Sequence, residues 1–232
     1  VLDASANRLE LITTVRGKNN RIPPLVINEI RTEYSKPRSE FIELLCLGDG
    51  NMGGVSIYNT SRGKDEELFI FPPFEVVAGD YLVLHLRTLD EGWVQETGSP
   101  DESVSTESLA GVRDFWVEGT SKLARKNDYI VLTGQDRQIL DAVILCDYSG
   151  PAWKSEVLAE GALWLKEEGA WESEGAHILP ADAVFSGNAT ATRTINRDEG
   201  REDSDSKGDW YTTATSGASP GLPNNSTRYE SK

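Results

Sequence analysis

The sequence predicts an all-β protein, a sandwich or a barrel, on three observations. Short runs rich in Ile, Leu, Val and Phe recur along the chain, bounded by Gly, Pro, Asn or Asp. Acids interrupt these runs at strand-like intervals, as in residues 25–47, LVINEIRTEYSKPRSEFIELLCL. Only one segment carries helical spacing with matching start and stop residues. Short strands at regular spacing with Gly, Pro and Asp turns are the pattern of sandwiches and barrels.

Taken in order, residues 1–24 form an N-terminal extension whose apolar run, residues 9–15, either adds an edge strand or frays. LVINEI and EFIELLCL are the first strand pair, joined by a loop that carries Pro37. Gly48-Asp49-Gly50-Asn51 is a turn, and residues 55–58 are a short strand. The run at residues 68–71 stops at Pro72-Pro73, because proline cannot donate to a ladder. Residues 74–77, a turn at residues 78–80 and YLVLHL follow.

Residues 88–121, rich in Glu, Asp, Ser, Thr and Gly around Trp93, Phe115 and Trp116, read as a long insertion loop. Residues 129–132 and 139–145 form a hairpin about Gly134-Gln135-Asp136. Residues 148–190 are a second insertion with a helix over residues 151–168. Pro151 stands at its first position, Gly169 just beyond its end, and Trp153, Val157 and Trp164 recur near helical spacing. Gly161 weakens it. An acidic, turn-rich stretch, RDEGREDSDSKGDW, precedes SPGLPN, and residues 225–232 read as a disordered tail.

Composition restricts function. The net charge of −15 argues against nucleic acid or an anionic membrane as the main partner, since both repel an acidic surface. No apolar run approaches the roughly 20 residues of a spanning helix. The N-terminal residues lack the basic and apolar regions of a signal peptide, which fits an intracellular protein or a mature, trimmed form. Cys46 and Cys146 are too far apart for a Cys-x-x-Cys motif; two buried thiols and a bridge both remain open.

Five blocks in collinear order resemble the lamin tail domain, found in nuclear lamins and in many exported bacterial proteins. They are Ile27-Asn28-Glu29-Ile30, Glu40-Phe41-Ile42-Glu43-Leu44, and Phe71-Pro72-Pro73 with residues 79–84; then residues 127–132 with 139–143, and residues 193–210 with Ser219-Pro220-Gly221-Leu222-Pro223-Asn224. The resemblance implies an immunoglobulin-like β-sandwich over residues 25–224, with one inserted helix and long loops at residues 88–121 and 148–190. It also implies an exported protein of the cell envelope or exterior, with an upstream lipid anchor as one form. It transfers no catalytic residue. The extra apolar residues Leu45-Cys46-Leu47 depart from the family pattern.

Motifs of chemistry are few. Gly217-Ala218-Ser219-Pro220-Gly221 has nucleophile-elbow spacing, but no His follows it and its prolines forbid the helix, so it is a turn. Gly48-Asp49-Gly50-Asn51-Met52-Gly53 has dinucleotide-fingerprint spacing, but GVSIYNTS after it is no helix. Asp203, Asp205 and Asp209 resemble half of a calcium loop, but Lys207 occupies a ligand position and Ala214 stands where the bidentate Glu should be; a solvated acidic loop is the bland alternative. His85 and His177 have no nearby Cys or His partner for zinc. Paired acids such as Glu40 and Glu43 are expected by chance among 38.

The expected function is a non-enzymatic interaction or structural module that contacts a protein or a surface, with no cofactor required. A carbohydrate or peptide site built from Trp93, Trp116, Trp153, Trp164 and Trp171 is the second expectation, and an acid-pair hydrolase the third.

Overall fold

The computed structural model describes residues 17–119, 123 and 126–231, so the candidate strand at residues 9–15 lies outside the described residues. The strands are β1 (Leu25–Arg31), β2 (Phe41–Cys46), β3 (Gly50–Asn51), β4 (Ser56–Asn59), β5 (Phe69–Ile70), β6 (Glu75–Val76), β7 (Tyr81–His85), β8 (Arg113–Trp116), β9 (Asp128–Thr133), β10 (Ile139–Cys146), β11 (Val184–Phe185), β12 (Ile195–Arg197) and β13 (Trp210–Thr212). The helix α1 spans Glu156–Glu167. One sheet runs β13-β12-β1-β2-β7-β8 and a second runs β11-β10-β9-β4-β5; β3 and β6 pair separately. The fold is an all-β sandwich with one helix.

Strand alternation sorts the first sheet into two faces. Ile27, Ile30, Ile42, Leu44, Leu82, Leu84 and Phe115 join the core shared with Ile57, Val131 and Ile144 of the second sheet. The opposite face carries Glu29 across from Glu43, Arg31 across from Phe41, and His85 across from both Phe41 and Trp116. These residues are buried too. Residues 88–112 roof part of that face, where Val112 and Leu109 pack on Phe41 and Val83. Residues 217–224 cross the remainder as a strap. A sheet covered on both sides explains why its strands read as nearly continuous buried runs.

Several elements differ from expectation. The insertion at residues 88–121 is not all loop: it supplies β8, which pairs parallel with β7. Gln95 and Glu96 then close the β8 edge, with the Trp116 and Asp114 amides donating to their side chains. The helix starts five residues after Pro151, because the Ser155 hydroxyl caps it by accepting from the Leu158 amide at 3.4 Å. Gly169 does take the left-handed conformation beyond the C-terminus, φ +66°. Gly161 is needed for contact: a Cβ there would stand 2.1 Å from the Tyr129 ring.

The tail is also held in place. Thr213 bridges Arg228, the Tyr229 amide donates to the Thr212 carbonyl, and Arg228 pairs with Asp198. These bonds cover the outer edge of β13, which would otherwise offer unpaired backbone to another strand. Cys46 and Cys146 are free, buried thiols. No helix among the described residues is long and apolar enough to cross a membrane.

Candidate functional site

Glu29 and Glu43 are directly opposed on β1 and β2, the arrangement an acid-pair mechanism would need, yet both are fully buried. The strap occupies them. Ser219 donates its amide and hydroxyl to Glu29, and the Gly221 amide donates to Glu43. Asn28 donates to Glu43 and Glu199, and Asn224 donates to the Asn28 and Arg197 carbonyls. Burial raises the Glu29 carboxyl, against hydrogen bonds from Thr194 and Ser219. Burial, then the Glu29 charge, raises Glu43 well above the usual range. The closing SPGLPN signature is therefore a lid on two carboxylates. Glu40 is committed elsewhere, to a two-pronged pair with Arg87 at 2.6 and 2.7 Å.

The calcium candidates separate. Asp209 turns back to accept from Ser204 and Ser206; these bonds outweigh its burial and hold its carboxyl below the ordinary range. Asp203 and Asp205 instead approach Asp141, the three carboxylates lying within 4.8 Å of one another. The cation among them is Arg197, 2.7 Å from Asp141 and 2.7 Å from Asp203. Burial raises the Asp141 carboxyl to about 7, with Arg197 the main opposing influence.

The five tryptophans do not form one platform. Trp116 is buried and stacks on His85 at 3.9 Å, and buried Trp171 donates to the Asp182 carbonyl. Trp153 donates to the Ile178 carbonyl and Trp164 meets Tyr58 and Tyr129 edge-on, both packed on the core. Trp93 is half-buried in the roofing loop. Trp116 and Trp171 are thus removed from any ligand surface, because the outer face of the first sheet and the α1 layer are themselves covered.

A different concavity gathers aromatic rings. It opens where β11, at the margin of the second sheet, faces β13, at the margin of the first, and encloses about 480 Å³. Tyr148, Phe185, Trp210, Tyr211 and Tyr229 line it with Lys207. Phe185 is 55% exposed, a large apolar side chain presented to solvent. The Tyr211 hydroxyl donates to the Asn225 carbonyl, and burial, then Asp198, raises it to about 12. Two larger hollows adjoin residues 17–20.

Against this geometry stand the relatives. The family model TP_1001_2nd, described as a protein second domain, matches residues 23–212. The chain belongs to the TP_1001_2nd family. A Treponema pallidum (strain Nichols) relative, described as an uncharacterized protein, is 28% identical over 232 residues, covering 96% of this chain and 58% of the relative. The chain thus spans less than two thirds of that relative's length. The TP_1001_2nd match holds both sheets and four of the five groove aromatics; the strap and Tyr229 lie beyond it. Reading the sequence alone missed this groove, because its residues come from four segments separated by tens of positions.

Proposed function

We propose that the chain is a non-enzymatic interaction module whose contact surface is the aromatic groove between β11 and β13. The lining carries the proposal: five aromatic side chains, one exposed Phe among them, and no Asp or Glu, in a chain with 38 acids. Enrichment in Tyr, Trp and Phe with depletion of acids is the composition of protein-contact surfaces, where such residues carry most of the binding energy. Membership of a second-domain family agrees with a module that works beside other parts of a longer protein. The kinship with the lamin tail domain, and the exported setting it implies, are proposed on motif order alone.

A photo-crosslinking residue placed at Phe185, with Leu163 on α1 as the control, tests the reading in an extract of the source cells. We expect a discrete adduct at position 185, suppressed by excess unlabelled protein, and none at position 163. Equal labelling at both positions overturns it. So does robust turnover of a soluble substrate that depends on one acidic residue.

A further inference from the structure

We propose, resting on the interaction-module reading, that the groove takes an acidic peptide segment of a partner protein. The argument is the charge around the aromatic rings. Lys207, the charged lining residue, donates to the Ala181 carbonyl at 2.6 Å rather than to an acid. Lys154 lies 3.9 Å from the centre of the Tyr148 ring, and Arg193 lies 4.2 Å from that of Tyr229. None of these three cations has an ion pair among the described residues. Arg228, 4.6 Å over Tyr211, is the one neutralised cation, by Asp198 at 2.6 Å. The opposing charges are Asp147, which acts on Tyr148, and Asp198 and Glu199, which act on Tyr211.

A chain with 38 acids and 23 bases has thus gathered three cations without an ion pair among the described residues around an aromatic concavity. Cations on ring faces fix the rings while keeping donors free for carboxylates. The lining favours peptide over sugar. Pro180, Ala183 and Val184 are apolar, and two of three tyrosine hydroxyls are already engaged: Tyr211 with Asn225, and Tyr148 with the Lys154 amide. Ser149, Asn188 and Thr212 also line the groove and would meet the amide groups of an extended peptide, so a saccharide is kept as a competing outcome of the test.

The test uses fluorescence anisotropy with three labelled dodecapeptides, alternating Glu/Tyr, Gln/Tyr and Lys/Tyr, and with an oligogalacturonide as the saccharide probe. We expect the Glu/Tyr peptide to bind at least about tenfold more tightly than Gln/Tyr, and to weaken as salt screens the contact. Combining Arg193→Glu with Lys207→Glu should weaken it at least about tenfold, Phe185→Ser should weaken it independently, and Lys64→Glu, distant on the β4–β5 connection, should not. Melting curves check that each variant is folded. Equal binding of Glu/Tyr and Gln/Tyr overturns the acidic assignment and leaves the module standing. Tighter, groove-dependent binding of the oligogalacturonide overturns the peptide assignment. Binding indifferent to the charge reversals, or no peptide binding while the Phe185 adduct still forms, also overturns it. If that adduct fails as well, the module reading falls with it.

Discussion

Arg197 joins more of the molecule than its neighbours do. Its Nε donates to the Ile27 carbonyl at 2.8 Å, its Nη2 to both Asp141 oxygens, and its Nη1 faces Asp203, while the guanidinium lies 4.7 Å over Trp210. One side chain therefore links β12, β1, β10 and the acidic loop. Removing one partner strands the other charge in the interior, so Asp141→Ala should cost about 3–5 kcal/mol. Asp141→Leu with Arg197→Met should recover most of that loss, because apolar residues of similar volume replace a buried pair at little cost. Urea titrations of the two variants beside the unaltered protein check both statements. Little of this was legible beforehand. Asp141 sits in a strand that reads as a hairpin arm, and Arg197 in a run of charges that reads as solvated loop. The tryptophans were conspicuous, but residue type does not separate an exposed ring from a covered one when a sheet is buried on both sides.

At the level of elements, α1 and the strap show what local pattern can reveal. Replacing glycine by alanine inside a helix ordinarily stabilises by about 1 kcal/mol. Here Gly161→Ala should destabilise by about 1–3 kcal/mol, because the new methyl meets the Tyr129 ring. Gly161→Ala with Tyr129→Leu should return part of it, and thermal melts read the difference. Asn224 holds the strap through Asn28, Arg197, Asn196 and Glu199, so Asn224→Ala should cost about 1–3 kcal/mol and expose β1 amides to hydrogen exchange. The strands were readable because apolar runs between turn residues leave few alternatives. β8 was not, since four residues amid polar sequence carry no periodicity. The helix starts later than Pro151 signals, because Ser155 is a competing cap and its hydroxyl accepts from the Leu158 amide.

For the whole molecule the dominant electrostatic fact is an acidic chain with carboxyls held above their ordinary range. Glu29 and Glu43 are raised, and Asp141 is raised to about 7. A carboxyl whose folded pKa exceeds its unfolded value, near 4, lends its stability in full below that value. It loses that contribution as pH rises through the folded pKa. Asp209, held low, acts oppositely, and its contribution is lost only as pH falls through its depressed value. The melting temperature should therefore rise between pH 8 and pH 5 by several degrees, each kcal/mol being about 2–4 °C for a domain of this size. Glu43 faces Glu29, Asn28, Glu199 and the Gly221 amide, so Glu43→Gln should flatten the slope. Calorimetry over that range reads it; an unchanged slope in the variant would sink the assignment. The groove was the least legible feature of all, since it exists only where two sheet margins meet.

The strap also has a consequence in time. Ser219 closes on Glu29 across 190 residues and Gly221 on Glu43 across 178. At the usual pace of synthesis that separation is roughly 10–40 seconds of elongation. Until then Glu29 and Glu43 lack the donors that Ser219 and Gly221 supply. Every strand of both sheets, β1 to β13, is therefore synthesised before the residues that cap the two carboxylates. Of the two segments that cover the first sheet's outer face, the roof at residues 88–112 is made first and the strap at residues 217–224 second.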